Sequence, residues 1–493
     1  MAAPERPTPR LPRGFRDVFG DALVQRQRMI ERIVAVYRRY GFTALETPIV
    51  EYLETLGKYL PDTDRPEGGV FAFRDERDEW LALRYDLTAP LSRVMAQYPD
   101  LPLPFRRYQV GSVFRDEKPG PGRFCEFIQC DFDTVGTASM LADAEVCSVL
   151  GDVMEALGFQ PGDYRIRVNN RKVLNGVLEK AGLNVADSRE DVAGPWLTVL
   201  RAIDKLDRVG LDGVAQLLGK GRMDESGDFT KGAALATGQI DTILGYLQLV
   251  GQERGALVTA LGALTAGSKV GEEGVAELAE IDRLLTAAGA GDERITFDPT
   301  VVRGLAYYTG PVYEAELTFE VKDEKGEVTR FGSVAGGGRY DDLVDRFLGK
   351  VVPATGASMG VDRLLAALEL ARPEASGGPD SVLVVVMDPN FMAEYMGLAA
   401  ELRAAGVAAE LYMGEGRVGA QLRYADRRGL PAVVICGENE FASNEVSVKD
   451  LAVGRKLAQG MSDRKQWQEE RPAQVTIPRG ELVATVRRII DGE

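Results

Sequence analysis

The sequence predicts an α/β protein in two parts: an α+β body with an antiparallel sheet and a helical insertion, then a smaller C-terminal α/β domain. Three stretches predict it. Over residues 105–133, FRRYQVGSVF and RFCEFIQCDFD read as strands, and Pro119-Gly120-Pro121-Gly122 forces a reversal between them. Between about 171 and 292 the pattern turns helical, and strand-like sequence returns from Ile295 to Phe319. After ARPEASGGPD (371–380), a linker by composition, SVLVVV, VAAELYM and PAVVIC alternate with helical stretches, which implies a separate domain with a largely parallel core. The expected divisions are therefore 1–170 and 293–372 for the sheet body, 171–292 for the helical insertion and 381–493 for the last domain.

The remaining elements follow in order. MAAPERPTPRLPRGF carries proline and arginine without an apolar core, so no secretory signal is expected, and no apolar run approaches the roughly 20 residues of a membrane span. A cytoplasmic protein without membrane contact is the expectation. From Asp21 to Tyr40, Ile30, Ile33, Val34 and Tyr37 recur at helical spacing until Gly41 stops the helix. FTALETPIV reads as a strand interrupted by Pro48, which favours a sheet edge, at a subunit contact or at an ordinary surface. AGGGRYD reads as a glycine turn, and GASMGVDRLLAALEL as a glycine-rich turn passing into an amphipathic helix.

Composition narrows the chemistry. The net charge of −16 over 493 residues argues against broad nonspecific nucleic-acid binding, while leaving room for a local basic groove. The four cysteines form no CxxC pair, so neither a zinc site nor a disulfide framework is indicated. The chain contains no histidine, which excludes imidazole metal ligands and every Ser–His or Cys–His nucleophile.

Three arginines stand where elements end or begin. Arg115 closes one hairpin strand, Arg303 opens RGLAYYTG, and Arg363 sits in the first turn of a helix. Permanently charged guanidinium groups suit phosphate; unrelated surface arginines would give the same spacing. On the second hairpin strand, period two puts Phe127, Gln129, Asp131 and Asp133 on one face and Ile128, Cys130 and Phe132 on the other, toward the core. The polar face suits a cationic, hydrogen-bonding ligand, or simply water. Asp86 and Thr88 in RYDLTAP add an acceptor pair. Residues 414–419 match GxGxxG, with Glu438 near the place of a ribose-binding acid, but a lone match is weak. The P-loop signature is absent.

Together these segments resemble the class II aminoacyl-tRNA synthetases, and among them the histidyl-tRNA synthetase family, over nearly the full length. VFRDEKPGPGRFCEFIQCDFD is similar to motif 2 and GASMGVDRLL to motif 3; VRGLAYYTGPVYEA and AGGGRYD resemble the two histidine-specific segments. ELYMGEGRVGAQLRYADRRGLPAVVICG resembles the anticodon-binding domain, which gives the GxGxxG match a structural explanation. The resemblance implies L-histidine, ATP with Mg²⁺, and tRNA(His) as ligands, and a homodimer. It implies that Arg115 and Arg363 hold the ATP phosphates with help from Arg123, and that Arg303 touches histidine and supplies charge at the α-phosphate. By the same resemblance Asp86, Thr88 and Gln129 receive the α-amino group. Asp133 and Tyr308 bind the imidazole nitrogens, with Tyr307 and Tyr340 nearby. No protein metal ligands are implied.

The chain departs from the family pattern at Ala306, Cys125 and Ile128. Cys125 lies beside the loop expected to meet tRNA, which puts acceptor-end recognition in question. The main rival reading is a non-catalytic paralogue similar to the regulatory subunit of ATP phosphoribosyltransferase. Such proteins lack the C-terminal domain and lose the catalytic arginines, both present here. Another class II synthetase is the third reading, opposed by RGLAYYTG and AGGGRYD.

Overall fold

The computed structural model describes residues 8–56, 69–120, 123–183, 195–223, 227–302, 308–322, 328–371, 381–460 and 473–491. The chain divides into two compact units, Met1–Asp17 with Gln25–Ala371, and Val18–Val24 with Arg372–Glu493.

In the first unit the chain runs through α1 (Gly20–Arg39), β1 (Thr43–Ala44), β2 (Val50–Tyr52), β3 (Ala72–Arg74), β4 (Trp80–Leu83), α2 (Thr88–Gln97), β5 (Phe105–Phe114), β6 (Glu126–Val135), α3 (Met140–Ala156) and β7 (Tyr164–Asn170). Helices α4 (Arg171–Lys180), α5 (Pro195–Ile203) and α6 (Leu206–Leu218) follow, then a small hairpin, β8 (Gly221–Met223) with β9 (Phe229–Lys231). Next come α7 (Thr237–Leu247), α8 (Arg254–Thr265), α9 (Lys269–Ala287), β10 (Ile295–Phe297), β11 (Pro311–Lys322), β12 (Val328–Arg339), α10 (Asp345–Leu348), β13 (Ala354–Gly360) and α11 (Val361–Ala371).

Eight of these strands form one sheet in the order β1-β5-β6-β13-β12-β11-β7-β10. Pairing is antiparallel through its middle and parallel only at the two ends, β1 with β5 and β10 with β7. The hairpin expected over 105–133 is β5 and β6, paired from Phe105↔Val135 to Phe114↔Glu126. Alternation along β6 works as read: Cys130 and Phe132 are fully buried, with Ile128 packed against the same core. From α1, Met29, Ile33, Val36 and Tyr37 pack into that core. The rings of Tyr37 and Phe42 lie 4.9 and 5.4 Å from that of Phe132, and the Tyr37 hydroxyl donates to the Cys130 carbonyl. Pro48 falls between two short strands, of which β1 is an edge of the large sheet.

Two expectations of turns are corrected. The glycines of AGGGRYD lie inside β12, and GASMG lies in β13, which passes straight into α11. Glycine runs read as turns by propensity, but here they are strand positions, and at Gly337, Gly338 and Gly356 neighbouring groups leave no room for a Cβ.

The second unit holds β14 (Val382–Val384), α12 (Met392–Ala404), β15 (Ala409–Leu411), α13 (Val418–Arg427), β16 (Ala432–Ile435), α14 (Glu438–Ser443), β17 (Glu445–Asp450), α15 (Leu451–Gly460), β18 (Gln474–Pro478) and α16 (Leu482–Asp491). Its sheet runs β15-β14-β16-β17-β18; the first three strands are parallel, the last two antiparallel. The largely parallel core expected here is thus a mixed sheet, because β17 and β18 turn back along its edge. Both faces of β14 and β16 are covered: Val382, Val384, Ala432 and Val434 lie in one apolar cluster, Leu383, Val385 and Val433 in the other. The 414–419 segment leads from edge strand β15 into α13. There buried Gln421 clamps the loop, giving its amide N–H to the Gly416 and Val386 carbonyls and accepting from the Val386 N–H.

Candidate active site on the central strands

Register fixes the floor of the site. Across β5, β6 and β13 three rows of residues face one side: Arg107, Asp133 and Gly356; Gln109, Asp131 and Ser358; Gly111, Gln129 and Gly360. This face is not solvated: Gln129 is 8% exposed, Asp131 1% and Asp133 2%. Asp133 is paired with the Arg107 guanidinium at 2.7 Å, and the buried Tyr340 hydroxyl donates to its other oxygen. Burial pushes the Asp133 carboxyl up, opposed by Arg107 and then by the Tyr340 hydrogen bond. The arrangement presents an acidic, hydrogen-bonded group at the inner end of the floor, suited to a ligand that donates N–H.

The tyrosines are set by the glycines of β12. A Cβ on Gly338 would stand 2.7 Å from a ring carbon of Tyr308, and one on Gly337 2.1 Å from the Gly356 carbonyl oxygen. The glycine pair therefore lets Tyr308 lie flat on β12 and lets β13 approach on the other side. Tyr308 and Tyr340 share one apolar cluster with Leu91 and Met95 of α2. Arg339 points away from this face and is buried against Asp143 of α3, where Tyr313 and Thr355 complete the network. The arginine of AGGGRYD thus anchors the sheet.

At the next corner, Asp86 accepts from the Thr88 and Ala89 N–H groups at 3.0 and 2.8 Å through one oxygen. It therefore caps α2, whose first residue is Thr88. Opposite Gln129, Gly111 makes room for Arg84, whose nearest nitrogen would be 2.2 Å from a Cβ there. That guanidinium donates to the Ser112 and Thr47 carbonyls.

The cationic groups gather at the other end of the rows. Arg115 follows β5 directly, its guanidinium 4.4 Å from the Tyr85 ring centroid and 5.2 Å from that of Phe127, donating to the Tyr85 carbonyl. Arg363 lies in the first turn of α11, just beyond Gly360. Its neighbour Asp362 accepts from the Ile128 N–H, the position β13 leaves open where it becomes helix, and is paired with Arg16. Arg123 is exposed, beside the Gly120↔Arg123 bridge that narrows the hairpin end. Arg303, Ala306 and Tyr307 lie outside the described residues. The structure thus brings Gln129, Asp133, Tyr308 and Tyr340 onto one face, puts Arg115 and Arg363 at one end of it, and leaves Arg123 further out.

Three buried residues of this face were not singled out from sequence: Arg107, Gln109 and, as more than a face member, Asp131. The signal existed, because Arg107, Gln109 and Gly111 alternate along β5 as Gln129, Asp131 and Asp133 do along β6. Only the pairing of the hairpin puts the two series side by side. The Cys125 side chain turns inward, 3% exposed, against Gly14, so its thiol is not presented at the loop surface.

A sequence model described as histidyl-tRNA synthetase matches residues 14–364, which include every element of this face. The chain belongs to the histidyl-tRNA synthetase family. A second model, an anticodon binding domain, matches residues 381–489. Curated relatives named histidine–tRNA ligase from Jannaschia sp. (strain CCS1) and from Cereibacter sphaeroides are each 54% identical, the first over 98% of both chains and the second over 99% of both. Among solved structures, the histidyl-tRNA synthetase from Nostoc sp. PCC 7120 is similar with a TM-score of 0.74 at 28% identity, over 98% of this chain and 100% of its own. The match to the anticodon binding domain falls in the second unit.

Proposed function

We propose that this chain is a histidine–tRNA ligase, which activates L-histidine with ATP and transfers it to the 3′ end of tRNA(His). The observation that carries the reading is the polarity along β6: a buried Asp133 held by Arg107 and Tyr340 at one end, Arg115 and Arg363 at the other. An imidazole N–H meets the carboxylate and Tyr308, and the triphosphate meets the arginines. Gln129, with Asp86 and Thr88 at the start of α2, receives the α-amino group.

In the first step a histidine carboxylate oxygen attacks the α-phosphorus of ATP and pyrophosphate leaves. Negative charge grows on the phosphoryl oxygens, so fixed guanidinium groups lower the barrier without a protein nucleophile. Arg115, Arg363 and Arg303 are assigned that role, with Arg123 on the outer phosphates and Tyr307 beside the histidine. In the second step the terminal adenosine hydroxyl attacks the adenylate; with no histidine in the chain, its proton goes to a substrate group or water. Mg²⁺ enters with the ATP phosphates and offsets their charge.

The division of labour assigned here is catalysis by 1–170 and 293–372, a helical insertion at 171–292 and anticodon binding by 381–493, in a cytoplasmic homodimer. No helix among the described residues is long and apolar enough to cross a membrane. The test is ATP–pyrophosphate exchange with each of the twenty amino acids in turn. Exchange with histidine alone supports the reading; none with any amino acid, from folded protein with Mg²⁺, returns the regulatory paralogue.

A further inference from the structure

We propose that Asp131 and Gln109 belong to the amino-acid site, forming with Gln129 an acceptor floor that takes the α-ammonium group of the substrate. The inference rests on the histidine-activating reading and extends it to two residues beyond those assigned above.

Gln109 Oε1, Gln129 Oε1 and Asp131 Oδ1 are all buried and have no hydrogen-bond partner among the described residues. Buried polar atoms are nearly always paired, and these three acceptors stand on neighbouring positions of one face, with the Ser358 hydroxyl in the same row. Gln109 stands directly opposite Asp131, and Gln129 is the next residue of β6 on that face. Gln109 gives its amide N–H to Thr47 Oγ1 at 3.0 Å, which turns its oxygen out as the open acceptor. An alkylammonium group has three donors and no acceptor, the complement of this set.

Charge favours a cation over water. Burial raises the Asp131 carboxyl to about 7, with Asp133 and Asp86 adding to it against the pull of Arg107 and a hydrogen bond from Ser358. Arg107 Nη2 is already engaged by Asp133 and the Leu87 carbonyl, and the Arg84 guanidinium by the carbonyls of Ser112 and Thr47. Geometry favours the ammonium over the ring. Gln129 and Asp133 are four residues apart on an extended strand, about 13 Å between Cα atoms. A histidine reaching from one to the other crosses Asp131 at the midpoint, with Asp133 and Tyr340 taking the imidazole end.

The experiment measures KM for histidine and for ATP in pyrophosphate exchange, with the unfolding midpoint of the ligand-free protein, for wild type, Asp131→Asn and Gln109→Met. Removing the charge at 131 is expected to raise KM for histidine about 10- to 100-fold, the range of a hydrogen bond to a charged group. KM for ATP stays put and the ligand-free midpoint is not lowered; Gln109→Met shifts the histidine KM in the same direction by about 5-fold. 3-(Imidazol-4-yl)propanoate, which lacks the ammonium, should inhibit wild type and Asp131→Asn alike. The proposal is overturned if both variants keep KM for histidine within threefold of wild type, if stability falls together with affinity, or if the propanoate is weakened as much as histidine. Absence of histidine-dependent exchange in the wild type would instead sink the underlying reading.

Discussion

Replacing Asp131 with asparagine should stabilise the ligand-free protein, and by an amount that depends on pH. The Asp131 carboxyl is raised from 3.8 to about 7, first by burial and then by Asp133 and Asp86, with Arg107 and a hydrogen bond from Ser358 opposing. Arg84 is the further charged neighbour, since Asp131 acts on it in turn. An acid raised in the folded state binds more protons folded than unfolded between the two values, so stability falls as pH rises from about 4 to about 7 and is flat above. At 1.36 kcal/mol per tenfold change in the proton equilibrium, the full interval corresponds to about 4 kcal/mol at pH 8 and about 2 kcal/mol at pH 5.5. Asparagine mimics the protonated acid and does not titrate. Its advantage over wild type should therefore grow by about 2 kcal/mol between pH 5.5 and 8. Urea unfolding of both proteins, followed by intrinsic fluorescence at the two pH values without ligand, measures this. A variant no more stable than wild type at pH 8, or a difference independent of pH, would refute the claim that burial outweighs the Arg107 and Ser358 contacts of this carboxylate.

Gly337→Ala should cost several kcal/mol or abolish soluble expression, because its Cβ meets the Gly356 carbonyl oxygen at 2.1 Å and backbone cannot yield cheaply; thermal unfolding reads it. Gly338→Ala meets the Tyr308 ring at 2.7 Å and the Pro311 carbonyl oxygen at 2.8 Å, so a loss of stability with a raised KM for histidine is expected, and an unchanged KM would separate Tyr308 from the site. Asp133→Asn leaves Arg107 buried without its counter-charge, a loss of about 3–5 kcal/mol by denaturation, whereas Tyr340→Phe removes one hydrogen bond and should cost about 1–3 kcal/mol. Arg115→Ala should lower the exchange rate about 10²- to 10³-fold while the unfolding midpoint stays near wild type, since the side chain is only half-buried.

The parts of the fold written in local pattern were legible in the sequence. The 105–133 hairpin and the helical run after 171 each have a period of their own and appear in the structure, while the linker read at 371–380 lies, but for Ala371, outside the described residues. The two glycine segments misled because propensity reports what a backbone tolerates alone. Gly337 and Gly338 are strand residues only because Gly356 and Tyr308 press on them, contacts made by residues distant in sequence. The second unit's antiparallel edge was missed for a similar reason: the direction of β17 and β18 is set by the strands they meet. At the site, the faces of β6 followed from period two. Arg107 could not be joined to Asp133 until the hairpin register put them opposite one another.

The floor also has a history in time. Two of its three strands, β5 and β6, leave the ribosome within the first 135 residues, while β13 begins at Ala354 and must dock on β6 across the whole helical stretch. Until then the carboxylates of β6 lie at an open sheet edge, opposite neither Gly356 nor Ser358, and Arg363 has not been synthesised. Substrate therefore cannot act as a scaffold for the nascent chain, because half the surface that would hold it does not yet exist. Closing so distant a pair is entropically slow. Helices formed locally between the two halves shorten the loop to be closed, so the docking of β13 on β6 is the late step that completes the face.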